Sequence, residues 1–319
     1  MALAYDIFDQ ASGRAKDGDD EGAVTGFANV VERMREATGS RAAKLAGTAL
    51  YNMGNSLGRL GRGDSAIRAY DDAVARVGQW TDRNAQFLVA VALVNKGAQL
   101  RELGRHEHAI DVFQRVIALY AGYPQSAFRL QVAKAHYGAG LAYDRLGSHE
   151  DEIAAYDLAV KHLGRTNGAQ GQAMIASALA TKGIALHQLD RTAEGILVHE
   201  LVVSRFASRS GRPFRKEVAV ALYTTGVGLS HLDRVDDALD AYKRLLDRYD
   251  ALDSTEVQVW VAKAGIAKAN ILVELGLTRD ALDAYSWVVE RFSDSDDLRL
   301  RSSVGNAATA RLTLLWGSA

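Results

Sequence analysis

The chain has 319 residues, 48% hydrophobic and 24% charged, enough apolar side chain to bury a continuous core, which argues against wholesale disorder. Its 38 basic and 39 acidic residues nearly cancel to a formal charge of -1, so no net attraction to nucleic acid or anionic membrane is expected. The absence of cysteine excludes thiolate catalysis, disulfides and Cys-based zinc sites; with no basic-then-apolar leader in MALAYDIFDQ and no apolar run of about 18 residues, the expected location is the cytoplasm.

Sliding the sequence against itself gives one period of 43 residues, kept without insertion or deletion from residue 52 to residue 292. It divides the chain, read as a single solenoid over 1–319, into a divergent N-terminal unit (2–40), six repeats (41–83, 84–126, 127–169, 170–212, 213–255 and 256–296) and a C-terminal capping helix (297–319). The first unit carries the apolar set Ala23, Val24, Phe27, Val30 and Val31, with Arg14 and Asp17 where later units have Leu, and reads as a polar cap.

Within the repeats one column reads Gly54, Gly97, Gly140, Gly183, Gly226 and Ala269, and another reads Leu60, Leu103, Leu146, Leu189, Leu232 and Leu275. Further on, an aliphatic column (Ile67, Ile110, Ile153, Ile196, Leu239, Leu282) stands three residues before a ring column (Tyr70, Phe113, Tyr156, His199, Tyr242, Tyr285). Offsets of three and four predict helices, and each repeat reads as an A helix ending near the Leu60 column, a short turn and a B helix. Gly61, Gly104, Gly147 and Gly276 stand where a helix exits through a left-handed residue, with Asp190 and Asp233 in their place in two repeats. A glycine column inside an A helix lowers helix stability, so it implies that helix B approaches there.

In the A–B turns, His106, Glu107 and His108 would stack beside His149, Glu150 and Asp151 of the next repeat. Such turns are polar by default and no helical HExxH spacing occurs, so no metal and no cofactor is expected. The third repeat departs most from the columns, with His136, Tyr143 and Glu152 in place of Leu, Leu and Ala. This fits a locally repacked unit, with a polar pocket between helices as the alternative. No phosphate loop and no nucleophile–base–acid set has a positional signature, so no enzyme is expected.

Leu50, Met53, Gly54, Leu57, Ala66, Tyr70 and Ala73 match, in order and spacing, the pattern of the tetratricopeptide repeat family, and the chain resembles a long-period variant of it. The period also fits HEAT or armadillo arrays, which do not require the Gly and Ala columns. The resemblance implies an all-α, right-handed superhelix of stacked antiparallel helix pairs that acts as a protein-interaction scaffold or adaptor. Its concave face would come from A-helix positions, here Tyr51, Asn55, Asn95, Arg101, Lys134, Tyr137, His187, Tyr223 and His231. Asn55, Asn95 and Lys134 fall on positions that clamp a peptide carboxylate in some members, but Tyr51 and Gly138 stand where two cations should be. The expected partner is a protein or peptide segment, with self-association open and neither nucleic acid nor membrane expected; a regulatory module of a larger effector is the alternative.

Overall fold

Apolar side chains at offsets of three and four fold as helices along the whole chain. The computed structural model describes residues 1–164, 168–209, 211–252 and 254–316, and among them are fifteen helices and no strand. The first pair is α1 (Ala2–Lys16) and α2 (Asp20–Arg33). Six A helices of 20 residues follow: α3 (Ser40–Arg59), α5 (Arg83–Glu102), α7 (Ser126–Arg145), α9 (Ala169–Gln188), α11 (Arg212–His231) and α13 (Thr255–Glu274). They alternate with B helices of 15 residues: α4 (Gly63–Val77), α6 (His106–Tyr120), α8 (His149–Leu163), α10 (Thr192–Phe206), α12 (Val235–Tyr249) and α14 (Thr278–Phe292). Helix α15 (Leu298–Trp316) comes last. Each A helix starts one residue ahead of the corresponding repeat boundary read from the sequence.

Every A–B turn is closed in the same way. Gly61, Gly104, Gly147 and Gly276 have φ between 71° and 74°, and Asp190 and Asp233 take the same region at 57° and 56°. The amide of the next residue then bonds back across the turn, Arg62 to the Leu57 carbonyl at 2.9 Å and Arg234 to the Leu229 carbonyl at 2.9 Å, which satisfies a carbonyl the helix end leaves open. A side chain in this conformation costs energy that glycine does not. Asp190→Gly and Asp233→Gly are therefore expected to stabilise the protein by about 1 kcal/mol each, read as a rise in melting temperature; a fall would mean that the aspartate side chains hold the turn.

Contacts group the chain into two compact units, Met1–Met174 and Ile175–Ala319. In the first unit α3 packs on α5 and α5 on α7, and each of α4 and α6 packs between the A helices that flank it. In the second, α11 packs on α13 and α13 on α15 in the same manner. Among the described residues the backbones of neighbouring B helices stay apart and side chains bridge them, as Arg244 of α12 does to Glu200 of α10 at 3.6 Å. Within each unit the A helices thus lie closer together than the B helices, and the A layer forms the inner side of the bend.

The glycine column is where the B-helix ring seats. A Cβ built on Gly54 would come within 2.6 Å of the Tyr70 ring, and one on Gly97, Gly140 or Gly226 within 2.5 Å of Phe113, Tyr156 or Tyr242 respectively. Gly183 faces His199 in the same way. Successive pairs are also tied outside the core: Arg76 donates to the carbonyls of Met34 and Ala37, Arg248 to that of Ala207, and Arg291 to that of Asp250 at 2.8 Å. Each places a cation on the carbonyl end of the preceding B helix, the end that attracts positive charge. Among the described residues no helix is long and apolar enough to cross a membrane.

Candidate functional site

The A layer of the first unit brings Tyr51, Asn55 and Asn95 together. The Asn55 Oδ1 accepts from the Tyr70 hydroxyl at 2.8 Å and from Asn95 Nδ2 at 2.8 Å, and Asn95 Nδ2 also reaches the Tyr51 hydroxyl at 3.3 Å. Tyr51 lies half-buried with its ring 6.1 Å from that of Tyr70. Two residues on carboxylate-clamp positions therefore bond each other, α3 to α5, and hold the buried Tyr70. Gly138 is buried against the Phe113 ring, where no cationic side chain fits. Arg101 lies in the last turn of α5, 3.9 Å from Glu102.

On α7, Lys134 is half-buried, and desolvation lowers its pKa from the ordinary lysine value. Tyr137 packs its ring 5.5 Å from that of Tyr156 on α8. The substituted columns of this pair form two separate groups. His136 stacks on His162 at 5.1 Å, and burial, with a smaller contribution from His162, brings its pKa down to about 4. Glu152, 2% exposed, accepts from or donates to His149 Nδ1 at 3.0 Å, with Asp144 beside them. Burial pushes the Glu152 carboxyl up, and the Asp144 charge adds to this.

In the second unit His187 stacks on the fully buried His199 at 5.6 Å, the rings 13° from parallel, while His231 is exposed at the end of α11. Tyr223, half-buried on α11, lines a cavity of 530 Å³ with Lys263, Ile266 and Asn270 of α13 and Leu298 and Asn306 of α15. Its ring lies 5.4 Å from that of Trp260 and 6.0 Å from that of Tyr242. The Lys263 ammonium sits 4.5 Å from the centre of the Trp260 ring, a cation–π contact that holds the charge at the cavity. Asn270 accepts from the Tyr285 hydroxyl at 2.5 Å, the same bond that Tyr70 makes to Asn55 in the same columns five repeats earlier. The arrangement offers an apolar recess with two cations, Lys263 and the Asp297-paired Arg299, and two amides around it.

Residues 51–127 and 100–171 match the family model for the tetratricopeptide repeat. Residues 51–171 thus match the tetratricopeptide repeat. Solved structures with the same fold include a signal-transduction ATPase with a tetratricopeptide-repeat sensor from Pyrococcus horikoshii, at 13% identity over 99% of this chain and 43% of that one, TM-score 0.65. The apo quorum sensor NprR from B. thuringiensis matches at 13% identity over 96% of this chain and 80% of that one, TM-score 0.59. The apo form of RapI matches at 12% identity over 91% and 97%, TM-score 0.58. Among curated proteins no sequence match was found.

Among the helix pairs Trp260 escapes a reading based on the columns, although the signal is present. Its column otherwise reads Leu45, Leu88, Gln131, Met174 and Glu217, so a tryptophan there is an outlier. Asp144 gives no such signal, because its partnership with His149 and Glu152 depends on the fold of the turn.

Proposed function

We propose that the inner A layer binds a segment of another protein, and that its principal anchor is the Tyr223 cavity of the second unit. Tetratricopeptide repeats act in protein–protein interaction, and no catalytic family is indicated. The observation that carries the choice of site is the braced pair of rings, Tyr223 and Trp260, beside a 530 Å³ recess with Lys263 at its edge. A rigid aromatic wall with few rotors to freeze is the usual composition of a binding hot spot. The matching segment carries a large apolar side chain next to a carboxylate. In the first unit, Tyr137, Lys134 and Arg101 are the corresponding contacts, whereas Tyr51, Asn55 and Asn95 contribute mainly by fixing α3 against α5.

A random peptide library selected on the full chain supplies ligands for the test. Tyr223→Ala should weaken the selected peptides by about 1–3 kcal/mol, roughly 5- to 150-fold in Kd by fluorescence polarisation, with the helical circular dichroism unchanged. Asp236→Ala, on the exposed side of α12, should leave Kd unchanged. Undiminished binding to Tyr223→Ala together with loss in Asp236→Ala would move the site to the B helices.

A further inference from the structure

We propose that the A–B turn of the third repeat is a binding site for a first-row divalent transition-metal ion, ligated by Asp144, His149 and Glu152. Asp144 is in the last turn of α7, and His149 and Glu152 are in the first turn of α8. The left-handed Gly147, φ 71°, folds the chain sharply enough to bring the two ends together. One ligand atom from each of the three residues lies within 4.8 Å of the other two, and His149 Nδ1 and Glu152 Oε2 are 3.0 Å apart. Donors bound at about 2.0–2.2 Å to a common ion are separated by distances of this order.

The column that Glu152 occupies is otherwise Ala66, Ala109, Gly195, Ala238 and Ala281, small side chains under the neighbouring helix. A carboxylate buried there is costly unless a positive charge or a proton accompanies it. Beside it stand His149, at 3.0 Å, and Asp144, which Arg145 approaches at 3.8 Å. A second observation points the same way. The Tyr156 hydroxyl is fully buried, adjoins Glu152 and has no hydrogen-bond partner other than that carboxylate among the described residues. It stands where a ligating carboxylate needs an outer donor.

Two carboxylates neutralise a dication, and one imidazole nitrogen favours Zn²⁺, Mn²⁺, Fe²⁺ or Co²⁺ over Mg²⁺ and Ca²⁺, which take oxygen donors. Asp144 and His149 are half-exposed, which leaves an entry path and room for water to complete the coordination. An ion there links the end of α7 to the start of α8.

The test uses the full chain stripped with chelator. Calorimetric titration with Zn²⁺ should show one saturable equivalent with a raised melting temperature, and Co²⁺ should give visible absorption bands at the same stoichiometry. Glu152→Ala installs the residue found in four other repeats, so it should fold, and it should raise the Zn²⁺ Kd at least about tenfold. Asp144→Asn should act in the same direction and decides the matter if the first variant loses helical signal. His106→Gln, in the preceding turn, should leave binding unchanged. The proposal fails if the wild type takes up no stoichiometric Zn²⁺, if Glu152→Ala and Asp144→Asn bind it as tightly as the wild type, or if Mg²⁺ competes at equal concentration.

Discussion

Phe113→Ala is expected to destabilise the first unit by about 3–5 kcal/mol, the range for deleting a fully buried phenylalanine. The ring is 1% exposed and is held from both sides, since a Cβ added at either Gly97 or Gly138 would strike it. Two A helices therefore close on one B-helix ring, and its removal leaves a cavity that neither glycine can fill. The converse change makes the same point. Gly97→Leu places four extra carbons where one already meets Phe113 at 2.5 Å, and overpacking of this kind costs about 1–3 kcal/mol or more. Urea denaturation of both variants decides: if either is neutral, the ring–glycine contact is not what sets the spacing of the helices.

Acidification is expected to destabilise both units through buried histidines. The pKa of His136 is brought down to about 4 and that of His199 to about 3, in each case chiefly by burial and secondarily by a neighbouring histidine. Both are neutral when folded, whereas an unfolded histidine takes a proton below about pH 6.5. Their contribution is therefore complete above pH 6.5 and is lost as the pH falls toward the folded values. Between pH 6.5 and 5 each histidine withdraws about 2 kcal/mol. Glu152 and Glu217 act in the opposite sense, because burial raises their carboxyls and the folded state holds the proton more firmly as pH falls. The clean measurement is thus a difference. His199→Phe restores a ring like Phe113 over a glycine and should be increasingly more stable than the wild type from pH 6.5 to 5. A difference that is flat with pH would show that His199 finds its proton without unfolding.

The columns made much of the fold legible. The exits at Gly61 and Gly104 follow from glycine's tolerance of the left-handed region, and the close approach of helix B follows from Gly54 and Gly140 standing in mid-helix. The ring that fills that approach was also visible, as Tyr70 and Phe113 recur at the same spacing. What the columns did not disclose is which polar groups bond each other. Asn55 and Asn95 are 40 residues apart, and only the stacking of α3 on α5 makes them partners. The same holds for Asp144, which a tight turn places beside Glu152, and for Trp260, which a neighbouring A helix places beside Tyr223. Position along a helix is periodic and can be read from a sequence; contact between helices is set by how they stack.

The central claim is that the inner A layer of the second unit engages a protein partner. Site-specific photo-cross-linking in the native cell tests it directly, with the photoreactive residue at position 306 beside the cavity or at position 236 on the exposed side of α12. Position 306 should give discrete protein adducts that Tyr223→Ala removes, and position 236 should give none. Adducts from position 236 alone, unaffected by Tyr223→Ala, would contradict the account.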